Sequence, residues 1–476
     1  MRKILNVLQS LHVFSILFFC LFFPFFMKGT EIASPSNNNT LLFSLDEAVM
    51  CALEHNEAII AERGVVKEAE AGVMIARAGF LPKISAQGSY TRLAEVPAFE
   101  MPGPGFIPVY GDYMGYPDTT NIIGWTIGSV DTVNTIAFSM GETENYLARA
   151  TLTQPLFTWG KILNGYQIAG LNLKAVKENY RKKKNELVFN VTKSFYGIFV
   201  LEELSKVTED AYEQTKRHVD VVEKRYNAGL ASDFDLLRAQ VQLKNMEPQL
   251  IKVGNGLEMA EKGFKTILGL PQERVTELKG ELKYEPFEVD VESLINEAIT
   301  NRPEIKSLSL RKQMAEKVLS LTKRANLPDV ALIANYDYKK PLYFENEWGT
   351  DWNVTIVARM PIFTGLENLG KNKQARERVR EVRHYLGMLE NMVELEVRSV
   401  CLKLKEAEKL VESQKENVTQ AEKALAIVEK RYELGLATSL EAMDTQLAVT
   451  MAKTNYLRAL SDYVIAEAEL EKVVGK

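Results

Sequence analysis

Glu441 and Asp444 stand three residues apart, on one face of a helix, just past a Gly-Leu-Ala turn at 435–437. Two such carboxylates either lie solvated on a charged helix or, when copies are gathered, repel one another and draw cations. Spacing alone leaves both readings open. A second constellation occurs twice: Arg225-Tyr226 with Gly229-Leu230, and Arg431-Tyr432 with Gly435-Leu436. A glycine that can take positive φ ends a helix, which accounts for Gly229 and Gly435. It does not account for the recurring arginine, tyrosine and leucine. Bond-making chemistry has no comparable support. His12, His55, His218 and His384 are scattered, and the chain has no HExxH, no paired cysteine ligands and no GxxxxGK[ST] loop. No catalytic residue, cofactor or metal is expected.

The twin constellation belongs to a much larger duplication. Residues 222–240 and 428–446 correspond at an offset of 206, which holds without a gap from Pro155/Pro361 to Gly269/Gly475. Upstream, Ala52/Ala298, Pro82/Pro328 and Tyr90/Tyr336 correspond at an offset of 246. The two offsets differ by 40, so the first copy carries 40 extra residues between Tyr90 and Pro155. A repeat this long is a half-molecule duplication. The first copy is placed at 41–269, a linker at 270–290 and the second copy at 291–476.

Composition excludes several classes. The net charge of −5 favours neither nucleic acid nor a strongly basic membrane surface. Arg2 and Lys3 precede an apolar run from Val13 to Met27, the layout of a secretory signal peptide, placed at 1–33. After processing only Cys51 and Cys401 remain, and no disulfide framework follows from them. No further stretch is apolar enough to cross a bilayer as a helix, so any crossing must be made by strands.

Residues 160–228 and 366–434 carry helical periodicity without an internal proline, each long enough to span about 100 Å. Leu173, Val176, Tyr180, Leu187, Val191 and Phe195 form a heptad-like seam. Each ends at a glycine tip, and Ser232 and Thr438 are the expected N-caps of the returning helices. Pro248, with Gly254, Gly256 and Gly263, is expected to weaken and kink the first returning helix. Four segments alternate with period two instead, around Ile84–Tyr90, Tyr146–Leu152, Val330–Tyr338 and Trp352–Met360. Each is about ten residues, enough for a tilted membrane strand, though a soluble sheet with one buried face has the same period. Pro82, Pro155, Pro328 and Pro361 mark the junctions of helix and strand. The proline- and glycine-rich stretch 93–144 reads as an irregular exposed loop, and its counterpart 339–349 is short.

In combination these features resemble the TolC-type outer-membrane efflux proteins. The resemblance rests on the helix–proline junctions, the paired strands, Pro155–Thr158 and Pro361–Gly365, the two tips and Leu268–Pro271, and spans Leu45 to Gly475. It implies a mainly α fold in which long helical hairpins form a periplasmic α-barrel. Four strands per subunit enter a shared twelve-stranded barrel of a homotrimer in outer-membrane lipid. By the same resemblance, Arg225, Tyr226, Gly229, Leu230, Arg431, Tyr432, Gly435 and Leu436 meet a periplasmic adaptor. Glu441 and Asp444 then line a periplasmic gate, and an inner-membrane transporter supplies energy for efflux or type I secretion. Independently of any resemblance, four strands have two open edges and cannot close alone in lipid. The rival expectation is a secreted or cell-surface coiled-coil scaffold or adhesin.

Overall fold

A computed structural model describes residues 41–96, 98–102, 106–113, 116–127, 135–139, 142–286, 290–343 and 345–475. The signal peptide expected at 1–33 lies outside the described residues. Contacts divide the described residues into a small unit, which includes Leu42 and Glu273–Glu277, and a large one, Phe43–Gln272 with Leu278–Lys476. The helices of the large unit are α1 (Leu45–His55), α2 (Glu57–Ala78), α3 (Lys161–Asn227) and α4 (Asp233–Leu268), then α5 (Val291–Asn301), α6 (Pro303–Lys323), α7 (Glu367–Glu433) and α8 (Ser439–Val474). The duplication is visible in the lengths: α3 and α7 have 67 residues each, α4 and α8 have 36 each.

The seam read from the sequence is where the helices pack. Leu187, Val191, Phe195 and Ile198 of α3 are buried, as are Val393, Val397, Val400 and Leu404 of α7, at the three- and four-residue steps of a heptad stripe. The α7 stripe joins Leu460, Tyr463, Val464 and Leu470 of α8 and Ile295 and Ala298 of α5 in one core cluster. Side by side, α2 packs on α3, α3 on α6 and α6 on α7. The first returning helix, α4, continues through Pro248 to Leu268; the proline removes a backbone donor without ending the helix. No helix among the described residues is long and apolar enough to cross a membrane.

The four alternating segments pair as one antiparallel sheet. Strands β2 (Lys83–Arg92), β7 (Glu144–Phe157), β9 (Asp329–Lys340) and β10 (Gly349–Arg359) lie in the order β10-β9-β7-β2. Register fixes two unlike faces, because residues directly opposite each other point the same way. One face carries Asp351, Asp337, Arg149 and Gln87 in a row, then Asn353, Asn335, Thr151 and Ser85. Arg149 grips Asp337 with two bonds of 2.7 and 2.8 Å. The opposite face carries Trp352, Tyr336, Ala150 and Ala86, then Val354, Ala334, Leu152 and Ile84. Aromatic rings close one end: Tyr90 lies 4.9 Å from Tyr146, Tyr146 5.6 Å from Trp348, and Trp348 stacks on Tyr338 at 4.9 Å.

Two expectations need correction. Pro82, Pro328 and Pro361 flank strand ends, but Pro155 lies inside β7, at its register shift before Phe157. A missing donor is tolerated at such an irregularity. The stretch expected to be irregular contains strands: β3 (Ala98–Pro102) pairs with β6 (Thr135–Ser139), and β4 (Phe106–Tyr113) with β5 (Tyr116–Ile127). Among the described residues each ladder has two strands, so Pro108 and Pro117 have a free edge for the side that lacks a donor. The remaining strands are β1 (Leu41–Phe43) and β8 (Thr276–Leu278). Both strand-to-helix turns pass through two left-handed residues, Trp159–Gly160 and Gly365–Leu366.

Candidate functional site: the two hairpin tips

Each tip is a Schellman turn. At the first, the Leu230 N–H donates to Arg225 O (2.8 Å) and the Gly229 N–H to Tyr226 O (2.9 Å); at the second, Leu436 donates to Arg431 O (2.8 Å) and Gly435 to Tyr432 O (3.1 Å). Gly229 has φ +72° and Gly435 has φ +73°, values that side-chain-bearing residues avoid. A Cβ at either would meet nothing within 4 Å, so the glycine requirement is a backbone one. The turn uses the carbonyls of the Arg-Tyr pair and leaves both leucines unpacked: Leu230 is 77% exposed and Leu436 64%.

The returning helices start from capping boxes. Ser232 pairs with Asp235, and Thr438 with Glu441. The Glu441 carboxylate accepts from the Thr438 N–H at 2.7 Å and its hydroxyl at 3.0 Å. These bonds, backbone first, hold the Glu441 carboxyl below its ordinary range. One of the two expected gate carboxylates is thus already engaged in starting α8. Asp444 is exposed one turn further along, and the 206-residue offset places Arg238 at its position in the first copy.

Identical motif letters do different work in the two copies. Tyr432 is only 8% exposed and packs with Val219, Val222, Ala239 and Ala442. Tyr226 is 38% exposed, and its hydrogen bond to Asp233 pushes the phenol up. Arg225 reaches across to the second hairpin, with its guanidinium 4.5 Å from the Tyr432 ring centroid and a 3.5 Å bond to Glu433 O. Arg431 stays within its own turn and donates to Leu436 O at 3.0 Å.

Sequence reasoning missed the residues that join the hairpins. His218 of α3 shares a 2.8 Å hydrogen bond with Ser439 Oγ, and its ring lies 5.2 Å from that of Tyr432. Burial pushes the His218 pKa down. Gln446 of α8 donates to Ala211 O of α3 at 3.3 Å. A signal existed: the offset pairs His218 with Ala424, so the histidine belongs to one copy alone. A cleft of about 460 Å³ opens beside this contact, lined by Gln214, Arg217, Glu429 and Glu433 among others.

Comparison with known proteins places this geometry. The chain is 20% identical over 346 residues to the alkaline protease secretion protein AprF of Pseudomonas aeruginosa, covering 70% of each chain. It is 21% identical over 347 residues to the outer membrane protein TolC of Escherichia coli, covering 69% of each. Among solved structures, the outer membrane protein VceC of Vibrio cholerae superposes with a TM-score of 0.70 at 17% identity, over 90% of this chain and 96% of that one. The Campylobacter jejuni outer membrane channel CmeC gives 0.73 at 14%, over 95% and 93%. At these identities the structural likeness speaks for the fold alone. A family model for outer membrane efflux proteins matches residues 49–270 and 294–476. The chain therefore belongs to the outer membrane efflux protein family.

Proposed function

We propose that this chain is the outer-membrane exit duct of a tripartite efflux or type I secretion system, working as a homotrimer with a periplasmic adaptor and an inner-membrane pump. The sheet carries the reading. It has a polar face, an apolar face and, among the described residues, two unpaired edges, β2 and β10, a combination that lipid accepts only when the edges close. Three copies supply twelve strands, with the polar row of Asp337 and Arg149 toward a wet lumen. The adhesin reading finds no support among the relatives.

The tips, with exposed Leu230 and Leu436, are the surfaces offered to the adaptor's helical hairpins. Asp444 carries the gate, as an exposed carboxylate repeated three times about the axis; Glu441 contributes charge while it caps α8. The inner-membrane pump sets the exported substrate.

The proposal is tested by disulfide scanning. With Cys51 and Cys401 replaced by serine, single cysteines along β2 combined with single cysteines along β10 should yield covalent trimers in oxidised membranes, for one register only. Products confined to a single chain, at every pairing, would refute the shared barrel.

A further inference from the structure

We infer that the first turns of α7, with the last turn of α6, form a docking surface for the headgroups of anionic phospholipids. Leu366 at the N-cap of α7 and Leu369, Lys373, Arg376, Arg380 and Arg383 within it follow steps of three and four, so they form a single stripe. All six are exposed. The stripe changes chemistry once, from apolar to basic. Just above it Ile362 and Phe363 are 90% and 81% exposed, next to the end of β10. This order matches a bilayer boundary: apolar residues at the acyl edge, then long cations within reach of phosphate. The inference rests on the exit-duct reading, which puts β10 in the membrane.

Position and charge single out three residues. At 1.5 Å per residue, Lys373 lies about 6 Å beyond Leu369 and Arg376 about 10 Å, a depth that flexible side chains bridge to the headgroups. Lys323 ends α6 beside them, where Thr322 bonds Asn372 at 3.1 Å. Three other cations on this part of α7 are matched, Lys371 with Glu367, Arg378 with Glu381 and Arg380 with Glu377, and Arg383 lies about 21 Å beyond Leu369, too deep for the headgroups. Lys323, Lys373 and Arg376 make no ion pair among the described residues. The first copy has Gly160, Leu163, Gln167, Gly170, Lys174 and Lys177 along the corresponding stripe, and Lys177 is paired with Glu70.

A neighbouring subunit is the competing occupant, since α2 and α7 are the outermost helices of the row. It offers no carboxylate at this level. By the 246-residue offset Thr322 corresponds to Ala76, and the last acidic residue of α2 is Glu70, about 9 Å deeper. Residues 71–78 of α2 contain one charge, Arg77, of the same sign.

The test compares the full-length protein with the variant Lys323→Gln/Lys373→Gln/Arg376→Gln in mixed micelles containing equal phosphatidylglycerol and phosphatidylcholine. Native mass spectrometry counts retained lipids. The wild type should retain phosphatidylglycerol preferentially, by about fivefold for each engaged cation, and added salt should erode the preference. The variant should lose most of it while keeping the wild-type assembly mass. Equal retention of the two lipids by the wild type, or an undiminished preference in the variant, would overturn the inference. So would dissociation of the variant with a matching defect in Glu68→Gln/Glu70→Gln, which would make the stripe a subunit contact. A water-soluble wild-type monomer would remove the exit-duct reading itself, a separate result.

Discussion

The two tips share a motif and a turn, yet only the second buries its tyrosine. Gly229 and Gly435, the capping boxes and the four Schellman bonds are equivalent. The tyrosines are not: Tyr432 is in a core and Tyr226 is at the surface. The arginines differ as well, with Arg225 reaching to the opposite hairpin and Arg431 closing its own turn. His218, which the offset pairs with Ala424, bonds Ser439 and lies against Tyr432 at the second tip. Motif identity thus predicts the backbone of a tip and says little about its side chains.

Breaking that inequality should produce the largest effect. Tyr432→Ala removes a buried ring and should destabilise the second tip by about 3–5 kcal/mol, whereas Tyr226→Ala should cost under about 1 kcal/mol. Hydrogen exchange of the amides at 428–446 and 222–240 measures both. Similar protection losses in the two variants would erase the distinction. Next come the glycines, where the tips should behave alike. Gly229→Val and Gly435→Val each force a β-branched residue to positive φ, at about 1–3 kcal/mol, and each should weaken adaptor binding while the assembly persists. Unchanged adaptor affinity in both, at normal expression, would reduce the tips to turns.

A pH effect should be smaller and specific to the second tip. Burial depresses the His218 pKa, so the folded state favours the neutral ring more than the unfolded chain does. The contact is at full strength above the ordinary histidine range of about 6.5, and it weakens as pH falls through and below that value. Protection at 428–446 should therefore drop between about pH 7 and 5, and His218→Gln should flatten the profile. An unaltered profile in that variant would assign the dependence to another group. The smallest effect separates the two carboxylates proposed for the gate. Asp444→Asn should lower cation selectivity in planar bilayers and leave α8 intact, while Thr438→Ala should loosen the start of α8 by about 1 kcal/mol. Equal reversal potentials for Asp444→Asn and wild type would place Asp444 in bulk solvent.

Much of the fold was legible because long periodic elements dominate it. The heptad stripe of Leu187, Val191 and Phe195 is buried as read, and the helices expected at 160–228 and 366–434 occupy 161–227 and 367–433. Ser232 and Thr438 cap as expected, since a capping box is local chemistry. Two places misled. Prolines in 93–144 suggested a loop, but in two-stranded ladders a proline has a free edge to face. Glu441 and Asp444 looked alike because spacing reports a shared face, not a hydrogen bond to Thr438. The contacts of Arg225 and His218 lie more than 200 residues away in sequence, beyond any local pattern.

A membrane duct assembled from three copies is tested most directly by the mass of the purified assembly. Light scattering of the detergent-solubilised protein, corrected for bound detergent, should give three times the mass of the mature chain. A monodisperse species at one chain mass, soluble without detergent, would contradict it.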